Sequence, residues 1–179
     1  MTGYRVHLLG PPKFQTLTGD PVTIRSRKGT GLLACLALAD GKSVGRDHLC
    51  SLLWSERQTA QARASLRQLL VDLRHDFGHA SDVFEIATDG AISCNGTAIV
   101  FDVAEFHRFR RADDRQTLER AFALRRGQFI EGLAPEDTAF AGWIEDNRRS
   151  LDNLWCEATA RLLRALEREG DHRQSLAGC

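Results

Sequence analysis

The stretch AQARASLRQLLVDLRHDF, residues 60–77, decides how this chain is read. Leu66, Leu69, Leu70, Leu73 and Phe77 recur at spacings that place all five on one face of an α-helix. At about 100° per residue, Arg63, Arg67 and Arg74 fall together along one flank. Ala64, Gln68, Val71 and His75 face away from the leucines, with Asp72 beside them. Such a helix packs one side on a core and offers the other side to a partner. In a major groove, its arginines meet phosphates and its mid-face reads base edges. Taken alone, the pattern equally fits an amphipathic surface helix with solvated arginines.

The flanking sequence narrows the choice. Residues 4–24 read as short strands: YRVHLLG, then Lys13–Thr18 after Pro11-Pro12, then PVTI after the turn Gly19-Asp20-Pro21. The period then changes. Leu32–Ala39 is apolar nearly all round and predicts a buried helix that Asp40-Gly41 ends. Ser43 is the expected N-cap of a second helix through Leu49, Leu52, Leu53 and Trp54. A polar loop, Ser55–Thr59, leads into the helix of residues 60–77, and Gly78 stops it. Val83–Ile86 and Ala91–Cys94 flank Thr88-Asp89-Gly90, a hairpin signal. A small antiparallel sheet, three helices and a hairpin make a winged helix-turn-helix, in which the third helix is the usual reader of DNA.

After Asn95-Gly96 the pattern becomes helical. Val103–Arg111 and Gln116–Arg125 predict two helices, and Gly127–Leu133 a connector. From Thr138, one apolar stripe runs through Phe140, Trp143, Ile144, Leu151, Leu154, Trp155, Ala158, Leu162 and Leu166. It predicts a single long helix ending at Gly170, with Asp171 opening another. The expected division is an α+β winged-helix domain over residues 1–98 and an all-α domain over residues 99–179.

Composition bounds the function without naming it. The chain has 179 residues, 42% hydrophobic and 27% charged, with formal net charge zero, as expected of a soluble globular protein. The charge is unevenly placed: residues 25–78 carry nine Lys or Arg against five acids, and residues 101–179 carry 13 Arg against 15 acids. A mildly basic half joined to a mildly acidic one fits a DNA-contacting module followed by a different one. Five cysteines without a C-x-x-C pair point to a reduced, cytoplasmic protein. No signal peptide or membrane-length apolar run is expected.

The runs RKGTGLLACLALADGKSVGRDHLCSLLW and QARASLRQLLVDLRHDF resemble the DNA-binding domain of the SARP-type bacterial transcriptional regulators, an OmpR-like winged helix. DVAEFHRF, ALRRGQFIEGL and FAGWIEDNRRSLDNLWCEATARLL resemble the bacterial transcriptional activator domain, a tetratricopeptide-like helical module that follows it in those regulators. The resemblance runs from about Tyr4 to Gln174. It implies a cytoplasmic activator that binds direct repeats in double-stranded promoter DNA as a homodimer and contacts RNA polymerase. By position, it implies base-facing roles for Gln68 and Asp72, phosphate contacts from Val71 and Arg74, and a polymerase contact at the loop Ser55, Glu56, Arg57 and Gln58. Arg27 and Lys28, ahead of the buried helix with Arg25 beside them, either reach the DNA backbone or only solvate the helix start. The sequence departs from the family at Val71 and Asp72, where basic residues are common, and at the hairpin tip, which carries no Lys or Arg. The family also continues into further helical repeats, so the helical half is expected to be incomplete.

Competing chemistries find little support. Gly41-Lys42-Ser43 resembles the end of a phosphate-binding loop, but Leu36 stands where the motif needs glycine and a helix precedes it. His75 and His79 have metal-pair spacing, but Gly78 breaks the helix between them and no third ligand is evident. Catalytic motifs are absent, so neither an enzyme nor a cofactor is expected. Two functions remain: a sequence-specific DNA-binding activator, or a protein-interaction adaptor whose winged helix no longer binds DNA.

Overall fold

A computed structural model of the chain describes residues 3–78 and 83–177. His79 and Cys179 lie outside them. The order is β1 (Tyr4–His7), β2 (Lys13–Thr16), β3 (Pro21–Val22), α1 (Arg27–Leu38), α2 (Arg46–Leu53), α3 (Thr59–Asp76), β4 (Phe84–Ile86), β5 (Ile92–Cys94), β6 (Ile99–Phe101), α4 (Asp102–Phe109), α5 (Arg115–Ala123) and α6 (Thr138–Ala177). Small sheets with three helices between them, followed by a helical C-terminal part, are compatible with a winged helix joined to a helical domain.

The first sheet is mixed, not antiparallel as expected. Its order is β3-β2-β1-β6, and β6 pairs parallel with β1, Tyr4 opposite Ile99 and Val6 opposite Phe101. The sheet therefore draws its outer strand from beyond residue 98. Asp102 locks that closure. Its buried carboxylate accepts from the Leu8 and Leu9 amides at 2.9 Å, so the end of β1 is tied to the start of α4. Burial pushes the Asp102 carboxyl up to about 6, and the two amides pull against that shift.

α1 begins five residues earlier than Leu32, because the Ser26 side chain caps it by accepting from the Gly29 amide. Arg27 and Lys28 thus sit in its first turn rather than ahead of it. Asp40 and Gly41, at φ 51° and 79°, then turn the chain away. Ser43 is not the cap of α2; Gly45 is. Val44 is instead drawn into a two-way backbone bridge with Ile92, which docks the α1–α2 connection against the β4–β5 hairpin.

The helical half is folded onto the rest rather than strung beyond it. Phe140 of α6 lies against Gly31 of α1, where a Cβ would come within 2.6 Å of its ring. Within the helical half, Trp155 stacks on Phe106 of α4 with centroids 3.8 Å apart. The segment before α6 joins the β1–β2 connection through Ile130 N–H to the Leu8 carbonyl, 2.7 Å, and Arg126 N–H to the Leu9 carbonyl, 2.8 Å. One apolar core runs through all these elements. α6 is a single helix of 40 residues that passes through Gly170; no second helix opens at Asp171. One glycine costs a helix only about 1 kcal/mol, too little to end it.

Candidate nucleic-acid interface

α3 is built as its sequence dictates. Leu66, Leu69, Leu70, Leu73 and Phe77 are all buried, and α2 packs along them. Tyr4 fixes the C-terminal end: its hydroxyl donates to the Phe77 carbonyl, and the two rings meet edge-on at 4.8 Å. The opposite strip is open. Gln61, Arg63, Ala64, Arg67, Gln68, Val71, Asp72 and His75 are exposed, and Val71 keeps 56% of its surface.

The three arginines of the flank are not equivalent. Arg63 forms a two-pronged pair with Asp47 in the first turn of α2, at 2.8–3.1 Å. Arg74 is half-buried, its guanidinium 5.9 Å from the Phe84 ring centre, so it braces the hairpin against α3. Arg67 is exposed and makes no ion pair among the described residues. On the strip itself, the Gln68 amide donates to the Asp72 carboxylate at 2.8 Å.

The hairpin tip has no cation of its own, but one is brought to it. Arg46 of α2 donates from Nε to the Gly90 carbonyl at 2.6 Å. Gly90, at φ 84°, makes the turn, and Asp89 holds it by accepting from the Ala91 amide.

Of the loop residues, Ser55, Glu56, Arg57 and Gln58 are all exposed. The loop is nonetheless pinned at both ends. Arg57 donates to the Ser65 hydroxyl at 2.9 Å. Ser55 donates from its amide and its hydroxyl to the two carboxylate oxygens of Asp137, which also caps α6 through the Ala139 amide. Burial would raise the Asp137 carboxyl, but the Ser55 donors, the Phe140 amide and the Lys28 charge outweigh it and hold it below the usual range. Lys28 itself turns inward. Its ammonium donates to the Leu53 carbonyl and sits 5.0 Å from the Trp54 ring centre, and burial lowers its pKa. It is committed to the α1–α2 junction, whereas Arg27 is exposed.

Sequence reasoning missed Asp47, Arg46 and Asp137. Each acts on a partner 16, 44 or 82 residues away, and no local pattern announces such a pair. Among the described residues, no cluster of His, Cys, Asp or Glu could hold a metal ion, and no helix is long and apolar enough to cross a membrane.

No protein-family model and no curated protein matches the chain. Among solved structures, it is similar to EmbR of Mycobacterium tuberculosis, determined in complex with a low-affinity phosphopeptide. The TM-score is 0.71 and the identity 24%, over 90% of this chain and 45% of that one. The chain therefore spans less than half the length of that protein, and over that part it shares its fold.

Proposed function

We propose that this chain is the DNA-binding and adjoining helical part of a transcription regulator, in which α3 enters the major groove of promoter DNA. The observation that carries the reading is the open strip of α3. The helical half, which could have covered it, packs instead on α1 and on the loop that follows α2, through Phe140 and Asp137. The resemblance of the sequence to SARP-type regulators and the fold shared with EmbR support it. In this reading Arg63, Arg67 and Arg74 meet phosphates, while Ala64, Gln68, Val71, Asp72 and His75 face base edges. Arg27 adds a backbone contact. The exposed loop Ser55–Gln58 is the surface offered to RNA polymerase, and two copies bind adjacent repeats. The protein acts in the cytoplasm, and the boundary between its two units falls near residue 98.

A second reading has specific support. Zero net charge, the Asp47 carboxylate beside Arg63, Asp72 on the strip and a hairpin tip without its own cation all weaken attraction to phosphate. They favour an interaction adaptor. A mobility-shift assay on the upstream region of the protein's own gene, at two salt concentrations, separates the two. Salt-sensitive, sequence-preferring retention supports the regulator; no retention even at low salt supports the adaptor.

A further inference from the structure

We infer that Asp72 is the base-selecting residue of α3, and that the operator presents an amino-bearing base, cytosine before adenine, where Asp72 lands. The inference rests on the reading of α3 as the DNA-contacting helix and deepens it.

The two edges of the strip carry opposite charge. At about 100° per residue, Arg63, Arg67 and Arg74 lie on one side of the Ala64–Gln68–Val71–His75 midline, and Asp72 lies on the other. A helix inserted symmetrically into the major groove would set its arginines along one phosphate rail and a carboxylate against the other. A roll about the helix axis removes the conflict. At about 100° per residue Asp72 stands about 70° from that midline and the arginines about 90° on its other side, so a roll of about 30° turns Asp72 towards the groove floor while the long arginine side chains still reach the phosphates of their own rail. The carboxylate gains from that displacement and the arginines give up little, so the charge pattern favours it.

Once on the floor, Asp72 is already shaped for a choice. Its Oδ1 accepts from Gln68 Nε2 at 2.8 Å, which holds both side chains along the strip and leaves Oδ2 without a partner among the described residues. The Gln68 Oε1 is a second acceptor beside it. An ionised carboxylate only accepts. In the major groove the only hydrogen-bond donors are cytosine N4 and adenine N6. The adenine amino group stands next to N7, an acceptor that repels a carboxylate, whereas the amino group of cytosine adjoins a C–H. Guanine, with N7 and O6, offers acceptors alone. The carboxylate that looks like a defect in a DNA-binding helix is thereby a discriminator.

The test is selection from a random duplex library with the full chain and with its Asp72→Ala and Asp72→Asn variants. Asp72 is exposed, so matched melting curves are expected of all three. The inference predicts a motif in which one position favours cytosine about tenfold, and that preference disappears in Asp72→Ala while the other positions stand. A variant that binds every sequence more tightly with an unchanged motif would show that Asp72 merely repels phosphate, and would overturn the inference alone. Failure of the wild-type chain to enrich any motif, even at low salt, would overturn the reading of α3 and this inference with it.

Discussion

Ser55 and Asp137 are joined twice, by the Ser55 amide to Oδ2 at 2.8 Å and by the Ser55 hydroxyl to Oδ1 at 2.7 Å. Ser55 opens the loop that leads into α3, and Asp137 stands one residue before α6. One carboxylate thus holds the helical half to the loop that orients the candidate reading helix. Asparagine keeps one acceptor oxygen in place of two and carries no charge, so the Ser55 donors, the Ala139 amide and the Lys28 ammonium lose part of what the carboxylate gives them. Asp137→Asn should lose about 2 kcal/mol, a fall in Tm of roughly 4–8 °C for a chain of this size. The penalty should also depend on pH. A carboxyl held below its ordinary 3.8 contributes stability that is full above that value and vanishes as pH falls through the lower folded value. Melting curves of both proteins should therefore converge in acid; a gap that stays constant to the lowest accessible pH would contradict the pairing.

Gly31→Ala tests the seam between α1 and α6. The added Cβ would meet the Phe140 ring at 2.6–2.8 Å. Alanine raises helix propensity by about 1 kcal/mol, so on propensity alone the variant should gain stability. The close approach reverses the sign, with a net loss of about 1–3 kcal/mol. Phe140→Leu in the same chain should recover part of it. A Gly31→Ala protein more stable than wild type in denaturant titration would refute the contact.

Asp102 titrates in the opposite sense to Asp137. Its folded pKa of about 6 lies above the ordinary 3.8 because burial opposes the charge. The native state therefore binds more protons than the unfolded chain between about 4 and about 6, and this group's contribution to stability falls as pH rises through that window, then levels off. Carbon-13 titration of its carboxyl should show a midpoint near 6. A midpoint at or below 4 would mean that the Leu8 and Leu9 amides outweigh burial.

Asp47 pairs with Arg63 and so competes with the phosphate contact proposed for that arginine. The pair is exposed on both sides, so Asp47→Asn should change folding stability by less than about 1 kcal/mol. Freeing one cation and deleting one anion should nevertheless raise DNA affinity and steepen its salt dependence by about one unit. Anisotropy titrations at several salt concentrations check it; an unchanged slope would mean that Arg63 makes no phosphate contact.

The elements most legible in the sequence were those whose signal is local. The face of α3 carries five apolar residues at helical spacing, and all five are buried. The turn at Asp89-Gly90 makes the hairpin that its composition announces. What escaped depends on distant partners. β6 is three residues long and becomes a strand only because β1, about 95 residues earlier, offers an open edge. The glycines of RKGTG hide the first turn of α1, yet Gly31 is required there by Phe140, more than a hundred residues on. Ser43 has the right chemistry for a cap, but Val44 is claimed by Ile92. Within the candidate site, sequence placed the exposed residues of α3 well. It could not see that Asp47, Phe84 and Asp72 already engage Arg63, Arg74 and Gln68.

The open strip of α3 is tested most directly by Val71→Glu, at a site 56% exposed with nothing to lose in the fold. Duplex DNA from the upstream region of the protein's own gene would be titrated with wild type and variant at about 50 mM and about 200 mM salt. The account predicts salt-sensitive binding by the wild type, at least a tenfold loss in the variant, and matching melting curves. Equal affinities for the two proteins, or no wild-type binding at the lower salt, would contradict it.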